Sequence, residues 1–184
     1  MQALANIGGF TIDYTDYRTI EVERGRDEPF EVVVALDGAG RRALTVLEDV
    51  CGADLTEALN EPLLSIESQI HRNVTGEFEA MEVVGGSTYP GPPASSYLDL
   101  DLRSIAASRS GSHFEFSFGG TFEAQLSASL MQDDKDPGTL EEVQGEAFVA
   151  GTFNFTAEWD PSEDDDLVVG EPSLEYEQSN IWTE

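Results

Sequence analysis

From Phe122 to Leu130 every second residue is apolar: Phe122, Ala124, Leu126, Ala128 and Leu130 alternate with Glu123, Gln125, Ser127 and Ser129. Successive side chains leave a strand on opposite sides, so this spacing belongs to a strand with one face in a core and one in water. The pattern recurs along most of the chain. Phe10, Ile12 and Tyr14 share one face, and the same phase resumes at Ile20 and Val22. Phe30, Val32, Val34 and Leu36 form a second run, more buried because Val33 and Ala35 are also apolar. Val74, Gly76, Phe78 and Ala80 suggest a third, running on to Val84. Leu98, Leu100 and Leu102 alternate with Asp99, Asp101 and Arg103, and Phe114, Phe116 and Phe118 alternate with His113, Glu115 and Ser117. Val149, Gly151, Phe153, Phe155, Ala157 and Trp159 make another strand on odd positions, and Leu174 and Tyr176 suggest an edge strand. Phe118 and Phe122 flank Gly119-Gly120, which predicts a tight hairpin.

One region has a different period. Leu44, Leu47, Val50 or Cys51, Leu55 and Leu59 recur at helical spacing, interrupted by Gly52. This predicts a helix over about 41–51 and a second over about 54–60. Asp54, with Glu57 three residues on, has the form of an N-cap and capping box, and Pro62 is read as the stop. The fold class expected is mainly β, in one domain spanning residues 1–184. It is an antiparallel β-sandwich or partly open barrel, with one helical insert (about 41–60) packed on a sheet. A long loop, 85–96, contains Pro90, Gly91, Pro92 and Pro93 and is too proline-rich for a central strand. Residues 172–184 are read as a C-terminal arm.

Charge sets the second constraint. The chain of 184 residues carries 37 acids against 9 basic residues, a formal net charge of −28. Eight of the basic residues are arginines, and Lys135 is the single lysine. Such a charge repels itself in ordinary buffer, whereas at about 1 M salt the Debye length falls to ~3 Å and most of the repulsion is screened. A patterned apolar core argues against the alternative, an acidic disordered chain. The expectation is a halophilic protein bathed in K+ or Na+. Binding to nucleic acid needs clustered basic residues, and only Arg41-Arg42 are adjacent, so neither nucleic acid nor an anionic membrane is an expected partner. No apolar run approaches the ~18 residues of a membrane span. Met1 to Gly9 lacks the charged start and long apolar stretch of a signal peptide. The expected location is the cytoplasm, or a particle assembled there.

No reaction chemistry stands out. Cys51, the only cysteine, excludes an internal disulfide, and it sits on the apolar side of a predicted helix, where a small buried filler is its usual role. No Gly-x-Ser-x-Gly elbow is present, and His71 and His113 are too far apart in sequence to form a ligand pattern. Glu163, Asp164, Asp165 and Asp166 offer hard oxygen ligands for calcium or magnesium. They lack the spacing of a calcium loop, and acidic loops are the background in this chain. Paired-carboxylate catalysis needs two positioned acids, and 37 acids give no basis for choosing two. Gly38-Ala39-Gly40 lacks the lysine and third glycine of a phosphate loop and is read as the turn from strand to helix. The sequons Asn73-Val74-Thr75 and Asn154-Phe155-Thr156 fall inside predicted strands and are read as chance. No cofactor is expected.

Two features point outward instead. Tyr89, Pro90, Pro92 and Pro93 sit in the long loop, and long loops often carry function. Ile181-Trp182 is a large apolar pair near the C-terminus, which must fold back or insert into a neighbour, since free ends fray. These residues are the candidates for partner binding. In layout, a β-rich core with one helical flank, a long loop and terminal arms is loosely similar to subunits of virus particles, such as tail-tube proteins of tailed viruses. That similarity is one of layout, with no motif behind it. It implies a non-enzymatic assembly subunit whose partners are copies of itself or other structural proteins. The alternative is a small-molecule-binding barrel or sandwich, possessing weak enzymatic activity at most, with the Phe-rich strands 114–118 and 147–159 lining a cavity. The charge generates its own test. Far-UV circular dichroism and a cooperative melt present in 2–3 M salt are expected to be lost on dialysis to ~0.1 M, where the Debye length is about 10 Å; a fold intact at low salt contradicts the halophilic reading.

Overall fold

The computed structural model describes residues 14–80, 82–83, 86–87, 89–91, 94–133, 140–162 and 167–183. Two strands open it, β1 (Asp16–Arg24) and β2 (Asp27–Leu36), joined by a turn at Gly25, whose φ of 73° suits glycine. Asp37 then caps α1 (Gly38–Thr45), its carboxylate accepting from the N–H groups of Ala39 (2.9 Å) and Gly40 (2.7 Å). The helix continues as one wider π turn over Val46–Val50 and ends at Gly52, φ 71°. Helix α2 (Leu55–Ala80) follows, capped by Asp54, which accepts from Thr56 and Glu57. Three two-residue strands come next: β3 (Glu82–Val83), β4 (Gly86–Ser87) and β5 (Tyr89–Pro90). The long strands β6 (Ala94–Ser110), β7 (His113–Asp133) and β8 (Leu140–Trp159) form a meander, and β9 (Val168–Val169) and β10 (Ser173–Thr183) complete it.

The main sheet runs in the order β1-β2-β6-β7-β8-β10, with β5 added beside β7 and β9 beside β8. It is mostly antiparallel; β2 and β6 run parallel. The sheet curls into a half-barrel with both helices packed against it, so the partly open barrel is the one of the two expected architectures that forms. Its core face carries the even residues Phe116 to Leu130 of β7 and the odd residues Ala147 to Trp159 of β8, as the alternation requires.

Three local expectations are overturned. The helical insert does not stop near residue 60, and residues 74–80 are not a strand: α2 runs through both. The stripe Leu55, Leu59, Leu63, Ile66, Ile70, Val74 and Phe78 is buried, and the last six are fully so. Each such side chain contributes about 1.5–3 kcal/mol when buried. That sum outweighs the ~3 kcal/mol cost of Pro62 inside a helix. Val74 and Phe78 therefore belong to an i, i+4 ridge, not to a strand face. The third correction concerns Gly119-Gly120, which make no hairpin. Strand β7 passes straight through them, and the turn lies upstream at Gly111 (φ 66°), where Ser110 pairs with His113.

Those glycines serve close approach instead. Opposite them β6 shifts register between Leu102 and Ser104, a bulge that also moves its buried positions from Leu100 and Leu102 to Ile105. A methyl group on Gly119 would meet Ser104 Oγ at 2.9 Å, and one on Gly120 would overlap the Asp101 carbonyl and the Phe153 ring. Gly151 of β8 stands between Phe122 and Tyr176 on the flanking strands, and their rings meet edge-on at 5.4 Å across it. Gly145 leaves room for Leu130 and for Phe78 of α2. Glycine thus lets aromatic rings lie over the backbone where the sheet curves. Phe78→Ala is expected to lose about 3–5 kcal/mol and Gly151→Ala about 1–3 kcal/mol, both measured by denaturant unfolding at one fixed salt concentration. Exposed Glu79→Ala should stay within ~0.5 kcal/mol, and equal small effects at 78 and 79 would contradict the buried helical ridge.

Candidate functional site

A half-barrel has two unclosed edges, and here α2 lies between them. On the β1 side, Asn60 Oδ1 accepts the N–H of Glu23 at 3.0 Å, taking up one backbone group that an edge strand leaves open. Arg24 grips Glu67 of α2 with both arms of its guanidinium, the Nε–Oε2 distance being 3.1 Å, and lies 4.6 Å from the Phe30 ring centroid. On the β10 side, Gln69 Nε2 donates to the Pro172 carbonyl (3.1 Å), the Tyr176 hydroxyl donates to the Gln69 carbonyl (3.4 Å), and Ser179 donates to Glu77 (2.5 Å). The helix bridges the edges with side chains where a closed barrel would use a strand ladder.

Where the bridge is thinnest, at the start of α2, the edges leave a seam of about 840 Å3. Glu21 and Glu23 of β1 form one wall, Leu167 and Val169 the other, and Cys51 to Pro62 the floor. Five carboxylates line it: Glu21, Glu23, Asp54, Glu57 and Glu61. The π turn and Gly52 border it, and such turns are frequent at functional sites. Among the described residues no group of three or more His, Cys, Asp or Glu side chains is arranged to hold a metal ion.

Cys51 and the two histidines, the nucleophile and base candidates of the sequence, lie on three different elements. Cys51 caps the π turn at the seam, partly buried, and burial pushes its thiol up, away from the reactive thiolate. His71 lies on α2 with Nε2 2.5 Å from Ser95 Oγ of β6. Burial lowers its pKa; the nearby Glu67 works against that shift and Arg24 adds to it. His113 stands at the start of β7, 3.8 Å from Glu158. Tyr176 is raised to about 12, first by burial and then by Glu77, so its hydroxyl stays a hydrogen-bond donor.

Of the residues singled out from sequence, Tyr89 and Pro90 form β5, paired with Met131 and Leu130 of β7. Pro92, Pro93, Glu163, Asp164, Asp165 and Asp166 lie outside the described residues, as does most of the first expected strand, Phe10 to Tyr14. The segment read as an arm is, over Ser173–Thr183, an edge strand zipped along β8. Ile181 packs partly buried against the core, while Trp182 remains 37 % exposed. The structure does not bring the β5 pair and the Ile181-Trp182 pair into one site: they lie on separate strands, beside β7 and β8. The seam carboxylates carried no sequence signal, because they are five among 37 acids.

No family model matches the chain, no curated protein is detectably similar to it, and no solved structure matches it. Among the described residues no helix is long and apolar enough to cross a membrane.

His71, on α2 outside the seam, gives the fold a pH signature. Its folded pKa lies below the unfolded value near 6.5, so as pH falls through that value the unfolded chain takes up a proton that the folded chain refuses. Stability therefore drops as pH falls through the unfolded value and below it, until the folded imidazole also takes up a proton. His71→Gln is expected to flatten the slope of Tm against pH over that window, and an unchanged slope would refute the assignment.

Proposed function

We propose that this chain is a non-enzymatic structural subunit of a high-salt organism, assembling with copies of itself or with other structural proteins. A component of a virus particle is the reading that best suits its layout. The observation that carries this is the position of the exposed aromatic side chains. Tyr17 is 66 % exposed on edge strand β1, and Trp182 is exposed on edge strand β10. Large aromatics in water at sheet edges are the residues that interfaces favour, and open edges are where strands of other chains add.

The ligand-binding alternative has less support. Helix α2 fills the concave face that such a barrel would need as its cavity, and the remaining seam is open and lined by carboxylates. Ligand pockets are mostly apolar with few polar groups.

The mass of the purified protein in 2–3 M salt, measured by light scattering against concentration, tests the proposal. Assembly beyond the 20.0 kDa monomer, weakened by the pair Tyr17→Ser and Trp182→Ser, is expected; a monomer at every concentration would sink it.

A further inference from the structure

We propose that copies of this chain meet head to tail, the acid-free face formed by α1 and the far half of β6 on one copy docking against the acidic seam of the next. This rests on the assembly reading above and adds to its edge-strand aromatics a second, separate interface.

Acids make up about one residue in five of the chain. Residues 38–47 and 102–114 contain none, though at the average rate these 23 positions would hold four or five. The same two segments hold Arg41, Arg42, Arg103 and Arg109, half of all the arginines. They are distant in sequence, and the fold joins them: α1 packs on β6, leaving an apolar groove of about 320 Å3 between Ala39, Ala43 and Val46 on one side and Ala106 and Ala107 on the other, with Arg42 at its margin. Beyond the groove the β6–β7 hairpin is exposed from Ala106 to Ser112. Arg109 is held there by the Gly111 carbonyl (2.7 Å) and lies 5.1 Å from the centroid of the Phe114 ring, so its guanidinium is positioned before any partner arrives. Arg41 has a structural task, donating to the carbonyls of Tyr14 and Leu36, and Arg103 is paired with Asp101 at 2.7 Å, which leaves Arg42 and Arg109 as the docking cations.

Charge complementarity selects the occupant. A chain of net charge −28 repels its own copies over most of its surface. The face built from these acid-free segments is where that repulsion is weakest, with Glu115 beside Ser108 and Asp160 beside Ser112 at its margin, and the seam offers it five carboxylates in a concave setting. At high salt only pairs at contact distance survive screening, so the alanine groove supplies apolar burial while Arg42 and Arg109 choose the orientation. The two surfaces are different patches, so the contact is heterologous and builds a ring or an open filament, not a two-fold dimer.

The test uses two charge-reversed variants of the full chain, Arg42→Glu with Arg109→Glu, and Glu21→Arg with Glu61→Arg, each first checked for a wild-type melt. Their association in 2–3 M salt is read by sedimentation. Each variant alone is expected to associate ~tenfold or more weakly than wild type, and an equimolar mixture is expected to regain association because each chain supplies the surface the other has lost. Wild-type behaviour in both variants, with the wild-type chain assembling, overturns this interface and leaves the assembly reading standing. Self-association of the Glu21/Glu61 variant alone indicates a face-to-face contact and also overturns it. Assembly lost only on removing residues 1–13 assigns the groove to the chain's own N-terminal segment and overturns the interface as well. A wild-type monomer at all concentrations overturns both proposals.

Discussion

The buried ridge of α2 is the element on which the rest of the structure depends. Six fully buried side chains from Leu59 to Phe78 present a continuous apolar rod about 30 Å long at 1.5 Å per residue. A flat sheet could cover only one line of it, whereas a curled sheet touches it from several strands. The curl in turn needs β6, β7 and β8 to be long, to carry a bulge at Leu102–Ser104, and to place glycine where rings press on the backbone. The sheet stops short of closure because the helix occupies the space between its edges. Asn60, Glu67, Gln69 and Glu77 on α2 then take over the polar work that a closing strand pair would do. The seam is the residue of that arrangement, left where α2 begins and the bridging side chains are fewest.

Much of this was legible as period. The alternations at 98–102, 114–118, 122–130 and 149–159 are buried on the expected faces, and the break from Leu102 to Ile105 marks the bulge. What misled were residues whose local meaning tertiary packing overrode. Pro62 reads as a stop, yet the apolar stripe continues beyond it at i, i+4 spacing. Val74, Gly76 and Phe78 fit a strand as a triplet, and fit a helix once Ile66 and Ile70 are counted with them. Gly119-Gly120 resembles a turn because glycine permits one, but glycine also permits backbone and ring to touch, and sequence alone does not distinguish the two uses. The acid-rich background hides the seam in a similar way: a glutamate there looks like every other glutamate.

The same background makes the absence of acids informative. In a chain of ordinary charge, a stretch without acids such as residues 102–114 carries no information. Here each exposed position filled by Ala or Ser instead of Asp or Glu is a departure from the chain's own rule, and the fold gathers two such stretches onto one face. Edge strands point to the same conclusion from the opposite direction. Strand β10 carries Glu175 and Glu177, and β1 carries Glu21 and Glu23. Charged edges discourage indiscriminate strand pairing, so exposed backbone alone would not order copies of this chain. If the proposed assembly reading holds, order must come from a patch that escapes the repulsion and can tell one orientation from another. An arginine-edged alanine groove facing a carboxylate-lined seam meets both requirements, while two seams brought together would meet neither.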